Sequence, residues 1–430
     1  MTERRLPWLW PSGPVAVLLP AAAIAVVVLW GSGPMLSWPY QEWIRTSAEF
    51  HQQNAFAAPI AAAAATCVAG RLTPPTRIFA LPVAARSGTP TVRRHLAVLV
   101  TSFVVAYLLG LLPLVVATIR DAEHGGPSIG VMVTGLLGIV TATALGYLIG
   151  VLCRTALAVP LTFVLVFGVT LLGTSGDTFA ALSPVLQLEP GLGRTETLPF
   201  VAYRLAFLSS LVVTTAWAAV KVLRNHRANS PLPPLKTLLP LVLPVLLIVP
   251  PLVDKPALFA YEADPAQVCR TERDVRYCVH AGHRSRLDLL VESTDAKLVR
   301  YGAPTPKITK VYDEAIRGHI PGTGDEWRRN NEGIVWIPIQ PQSPAEANAT
   351  PVVNILSGMS TCHLPRPGRP GPADPQATRL ASEFREWLIR PGDTTPGSAF
   401  HGIPEPVVRE WISSNRQKIE ECSLGSGDLP

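Results

Sequence analysis

Seven long stretches of this chain contain no aspartate, glutamate, histidine, lysine or arginine: residues 14–31, 55–70, 96–118, 129–152, 158–173, 205–220 and 237–252. Ion- and proton-coupled carriers hold their driving ion on intramembrane carboxylates or histidines, so these stretches exclude that chemistry within themselves. They exclude a retinal protein and a haem protein as well, which need a buried lysine and axial ligands. The motifs GxxxxGK(S/T), HExxH and GxSxG are missing throughout. The chain therefore carries no phosphate loop, no zinc-protease helix and no serine-hydrolase elbow. Cysteine is scarce and unevenly placed. Cys67 and Cys153 fall within or beside apolar stretches, and Cys269, Cys278, Cys362 and Cys422 all lie beyond residue 253.

What the seven stretches do contain is aliphatic. Most approach the roughly 20 residues that a helix needs to cross a hydrocarbon core of about 30 Å, and a helix satisfies its own backbone in lipid. The chain reads as a polytopic α-helical membrane protein. Orientation follows from the loops. Arg4 and Arg5 precede the first stretch, Arg71, Arg77, Arg86, Arg93 and Arg94 separate the second and third, and Lys221, Arg224, Arg227 and Lys236 separate the sixth and seventh, all without an acid between. The other loops mix signs, as in Glu42, Arg45 and Glu49. Positive loops stay in the cytoplasm, which predicts a cytoplasmic N-terminus, a multi-pass protein of the cell membrane and an extracytoplasmic C-terminal domain. The first stretch runs on to Trp30 without a small-residue cleavage site and is expected to be a retained span.

The net charge of +6 divides unequally. Residues 1–253 carry 16 Lys+Arg against 8 Asp+Glu, and residues 254–430 carry 21 against 23. The basicity belongs to membrane topology, and no basic stripe interleaved with aromatics points to nucleic acid. The expected domains are 1–225, a six-span membrane domain; 226–253, a cytoplasmic linker with a proline-rich seventh span; and 254–430, an α+β domain. Four cysteines in an oxidising compartment read as two disulfides. The segments VCR and YCV around the turn TERD suggest Cys269–Cys278, which leaves Cys362–Cys422; sequence alone leaves three pairings open.

In the tail, residues 268–270 and 277–280 suggest a hairpin, 283–300 a helix, and 333–339 a buried strand. Helices are expected over 377–389, with Leu380, Phe384, Trp387 and Leu388 on one face, and over 406–422, with Val407, Val408, Trp411, Ile412 and Ile419. His280 and His283 lack a third ligand at telling spacing, so they read as ordinary hydrogen-bonding histidines rather than a metal pair. Ser357–Thr361 beside Cys362 reads as an anchored turn. No catalytic residue, cofactor or metal is implied, and the chain is not expected to be an enzyme.

Two loops stand apart. Residues 71–95 are long and pair arginines with apolar residues: Arg77, Ile78, Phe79, Leu81 and Arg86. Residues 174–200 contain Phe179, Leu182, Val185 and Leu186, are broken by Pro184 and Pro190, and suggest a partly re-entrant hairpin or cap. With the interfacial N-terminal segment and six spans, this order of parts resembles the permease subunits of type-2 ATP-binding-cassette exporters of high-GC Gram-positive bacteria, over residues 1–225. The resemblance implies a six-helix permease-like bundle that forms a homodimer or heterodimer in the bilayer and works with a separate ATPase subunit. It also implies a coupling helix at Arg77, Ile78, Phe79, Leu81 and Arg86. The seventh span and the tail depart from that pattern. They leave as alternative a membrane-anchored cell-envelope sensor or scaffold whose extracytoplasmic domain binds a partner.

Overall fold

The computed structural model describes residues 13–72, 89–173, 177–183, 190–227, 240, 242–254, 257–302, 308–317, 333–340, 349–362, 374–390 and 394–430. The chain divides into two compact units, Met1–Ala260 and Tyr261–Pro430.

The first unit is helical. Its main elements are α1 (Val15–Leu36), α2 (Trp43–Gln52), α3 (Asn54–Leu72), α4 (Thr89–Asp121), α5 (Ile129–Cys153), α6 (Ala158–Leu172), α7 (Asp177–Leu182) and α8 (Leu198–Arg227). Among the described residues, four helices are long and apolar enough to cross a membrane: Val15–Leu36, Thr89–Asp121, Ile129–Cys153 and Leu198–Leu223. The stretches 55–70 and 158–173 become α3 and the shorter α6. The described part of the proline-rich stretch 237–252 forms two five-residue helices, α9 (Val242–Leu246) and α10 (Val249–Val253). Pro250 and Pro251 sit in the first turn of α10, where a missing N–H costs nothing. A short strand β1 (Arg194–Glu196) pairs with β2 (Phe259–Tyr261).

The tightest packing in this unit joins α3 to α5. A Cβ on Gly146 would lie 2.1 Å from the Ala62 carbonyl oxygen, and one on Gly150 would lie 2.4 Å from that of Thr66. Ala57, Ala61, Ala65 and Val68 face the same core, which α4 completes with Leu99, Phe103 and Tyr107. Lipid tails are as apolar as leucine, so helices in a bilayer gain by close backbone approach through small residues. Thr66 adds to the joint by donating to the Gly146 carbonyl at 2.8 Å.

The segment around Glu42, Arg45 and Glu49 is not the loop its charges suggest. It is α2, which is separated from α3 by one residue and buries Thr46, Ser47, Glu49 and His51. Likewise, the charge-free stretch 205–220 is only the later part of α8, whose earlier turns carry the fully buried Arg204.

The second unit is α+β. Strands β3 (Gln267–Glu272), β4 (Val275–His280), β5 (Lys310–Asp313) and β6 (Ile334–Ile337) form one sheet in that order. β3 and β4 are antiparallel, while β4, β5 and β6 are parallel. The hairpin turns at Arg273 and Asp274, both with positive φ, as a two-residue turn matching strand twist requires. Its register sets Cys269 opposite Cys278, and these two cysteines lie at disulfide distance, as do Cys362 and Cys422. A 3-10 turn (Ala281–Arg286) leads to α11 (Leu287–Tyr301), the crossover between the parallel strands β4 and β5.

Helices α12 (Thr350–Leu356), α13 (Met359–Cys362), α14 (Pro375–Ile389) and α15 (Glu405–Glu420) complete the unit. The core is aromatic: Phe384 lies 5.2 Å from Trp411, 5.4 Å from Phe400 and 6.1 Å from Trp387, ring centre to ring centre. Val408, Trp411, Ile412 and Ile419 of α15 are buried, whereas Val407 is 46% exposed. At the end of α14, Lys297 and Arg300 of α11 donate to the Ile389 and Leu388 carbonyls, using the charge that a helix C-terminus attracts.

Candidate functional site

Buried polar groups in the first unit gather around α2. Glu42 begins the helix in an extended conformation, and Arg45 donates to its carboxylate at 2.7 Å. Thr46 and Thr118 of α4 share a hydrogen bond of 2.6 Å, and the Ser128 backbone N–H donates to Ser47 at 3.1 Å. Gln53 donates to Glu49 at 2.6 Å. Asn54 donates to the Gly135 carbonyl at 2.7 Å and Tyr107 to the Phe50 carbonyl at 2.9 Å. These bonds tie α2 to α4 and α5, and they explain how a polar helix stays inside the bundle. A buried polar group is tolerated when it is hydrogen-bonded.

One corner of this network is less well satisfied. His51 Nε2 lies 3.1 Å from the Thr134 hydroxyl and 3.6 Å from Glu196 Oε1, and both ionisable side chains are about 1% exposed. Neither Glu196 oxygen has a hydrogen-bond partner among the described residues, nor does His51 Nδ1. Burial pushes the Glu196 carboxyl up to about 7, against the opposing pull of Arg204. The imidazole of His51 thus stands beside a carboxyl that exchanges its proton near neutral pH. Such a displaced carboxyl is a frequent property of functional sites.

Arg204 itself reaches sideways. Its guanidinium donates to the Ala180 carbonyl of α7 at 3.1 Å and to the carbonyl of Ser183, just past its end, at 3.2 Å. Its charge also lies 5.6 Å from the Phe200 ring. Ala180 and Ala181 of α7 are buried with Phe200 and Leu258, while Phe179 is exposed. The segment after α6 is therefore turned back and pinned by one arginine through its backbone, at residues whose side chains carry no signal of it. Val185 and Leu186 lie outside the described residues.

The second unit has its own buried cluster at the carboxyl ends of β4 and β5. Asp313 accepts from His283 Nδ1 at 2.5 Å, from the His280 N–H at 3.1 Å and from the Ala315 N–H at 3.0 Å. His280 Nδ1 accepts from the Gly282 N–H at 3.1 Å, so its ring proton is on Nε2, which lies 3.6 Å from Glu262. Both histidines are buried rather than on the surface. The cluster joins two strand ends to a 3-10 turn, and among the described residues no group of His, Cys, Asp or Glu is arranged to hold a metal. Ser357 and Thr361 flank a turn at Gly358, whose φ is +77° and whose added Cβ would lie 2.0 Å from the Ile419 carbonyl oxygen. Thr361 donates to the Glu420 carbonyl, and Cys362 faces Cys422. Trp387 and Trp411 are core residues.

Arg77, Ile78, Phe79, Leu81 and Arg86, the residues expected to meet an ATPase, lie outside the described residues, between the end of α3 and the start of α4. The residues that sequence reasoning passed over are His51, Glu196 and Arg204. His51 and Arg204 stand just before the apolar stretches 55–70 and 205–220, which is the one signal that marked them; Glu196, nine residues before the latter, carried none. Comparison with known protein families, with curated proteins and with solved structures finds no match.

Proposed function

We propose that the chain is a permease-like integral membrane subunit of an ATP-driven export system, working with a separate ABC ATPase, with residues beyond 260 outside the cytoplasm. The observation that carries this reading is the pinned α7. In this reading α1, α2 with α3, α4, α5, α6 and α8 are the six passes. A returning segment is held by Arg204 between the fifth and the sixth, and this is the order of parts of type-2 permeases. In this reading the chain performs no covalent chemistry. It transmits the conformational work of a nucleotide-hydrolysing partner through residues 73–88.

Co-purification from mild detergent tests it. An ABC ATPase is expected to accompany the wild-type chain, and Ile78→Asp with Phe79→Asp is expected to lose it while the chain still inserts. Charge placed in a protein interface without a partner costs several kcal/mol. Reporter fusions at Asn225 and Pro430 are expected to report opposite compartments. If no ATPase is recovered with the wild type, or the double variant retains it, the export reading fails.

The second reading, an envelope sensor or scaffold, draws support from the tail. Tyr261–Pro430 has its own aromatic core and two cysteine pairs at disulfide distance, and so has the make-up of a domain with work of its own.

A further inference from the structure

Between α4, α5 and α8 lies a groove of about 600 Å³, a size typical of a ligand site. Leu96 and Val100 of α4, Val140 and Ala144 of α5, and Val212 and Val220 of α8 make its walls apolar. Arg93 and Lys221 also line it. Arg93 lies toward the start of α4 and Lys221 toward the close of α8. The Lys221 ammonium is held 5.1 Å above the Trp217 ring, which also lines the groove.

From Arg93 to Val100, and from Val212 to Lys221, the helical rise gives the groove a length of roughly 10–14 Å. That is close to half of a hydrocarbon core of about 30 Å, the depth of one leaflet. Three helices that are candidate spans form the groove, so in a bilayer its walls would face hydrocarbon and its cations, near the helix ends, the headgroups.

We infer that this groove binds an anionic phospholipid, with an acyl chain along Leu96, Val140 and Val212 and the phosphate between Arg93 and Lys221. Basic pockets between membrane helices hold such headgroups. A second copy of the chain fits less well. Two-fold symmetry would set the same arginine and lysine of each copy against one another across an apolar contact. The inference stands apart from the export reading, because it needs only the three helices.

The test uses the full chain in mild detergent and native mass spectrometry with dioleoyl phosphatidylglycerol, dioleoyl phosphatidylcholine and inorganic phosphate as probes. Phosphatidylglycerol is expected to bind with preference over phosphatidylcholine, and millimolar phosphate is expected not to displace it. Arg93→Gln with Lys221→Gln should weaken phosphatidylglycerol about thirty-fold, roughly five-fold per cation, and leave phosphatidylcholine unchanged. Arg93→Lys with Lys221→Arg should retain binding. Ala216→Trp fills the groove with both charges in place, and should abolish binding even where the glutamine pair fails to insert. Equal binding of both lipids, full binding by either the glutamine pair or Ala216→Trp, or displacement by phosphate alone would overturn the inference. So would a changed oligomeric state in Ala216→Trp with undiminished lipid.

Discussion

The two units solve the packing problem with opposite materials. In Met1–Ala260 the closest contacts are glycine against backbone, as where Gly146 and Gly150 meet α3, and the interior accepts Thr46, Glu49, His51 and Arg204. In Tyr261–Pro430 the centre is Phe384, Trp387, Phe400 and Trp411, fixed further by two cysteine pairs. The difference follows from the solvent each composition is suited to. Water rewards the burial of large apolar side chains at roughly 25 cal/mol per Å², whereas lipid gives no such reward and leaves close contact and hydrogen bonding to hold helices together. Large side chains therefore matter most in the second unit, and the absence of a side chain matters most in the first.

Replacing Gly146 by Leu should break this contrast most severely. The new side chain would begin 2.1 Å from a backbone oxygen that cannot move alone, and a cost above about 4 kcal/mol is expected. Hydrogen exchange on the full chain should show lost protection in α3 and α5 with β4 to β6 unaffected. Next in size, Phe384→Ala should cost about 4 kcal/mol, within the range for a buried aromatic, and lower protection only among residues 261–430. Loss of protection across both units from either variant would show that the two do not behave as separate cores.

Glu196 gives a smaller effect with a definite sign. Its carboxyl titrates at about 7 in the folded chain against an ordinary value of 4.5, so the native state holds a proton that the unfolded state releases. Stability should fall as pH rises through that window, by up to about 3 kcal/mol, and Glu196→Gln should remove the fall. Thermal melts from pH 4 to 9 would read it, and an unchanged profile in Glu196→Gln would remove that carboxyl from the account. The smallest effect is expected at Val407→Ser. The side chain is 46% exposed, so its denaturation midpoint should stay within about 0.5 kcal/mol of the wild type.

Val407 also shows where periodicity stops being informative. The spacing of Val407, Val408, Trp411, Ile412 and Ile419 marks a helix and its apolar side, but not how wide the buried stripe is. β5 was illegible for a related reason. Lys310–Asp313 is four residues long with a charge at each end, yet it lies inside a parallel ladder because β4 and β6 supply hydrogen bonds on both sides. The hairpin at Arg273 and Asp274 was legible because a two-residue turn and its flanking strands are a local matter.

Sequence alone determined the elements whose cause is local or compositional: the apolar helices, the hairpin with its cysteines, and the amphipathic helices of the tail. Tertiary structure alone decided that a loop-like run of charged residues is a buried helix. It also brought His51, Glu196 and Arg204 from separate segments into one corner, and turned the Arg204 guanidinium onto the carbonyls of α7. The physical reason is that burial and pairing of polar groups depend on partners distant in the chain. Asn54 finds its carbonyl at Gly135 and Thr46 finds its hydroxyl at Thr118, and no local pattern records such meetings.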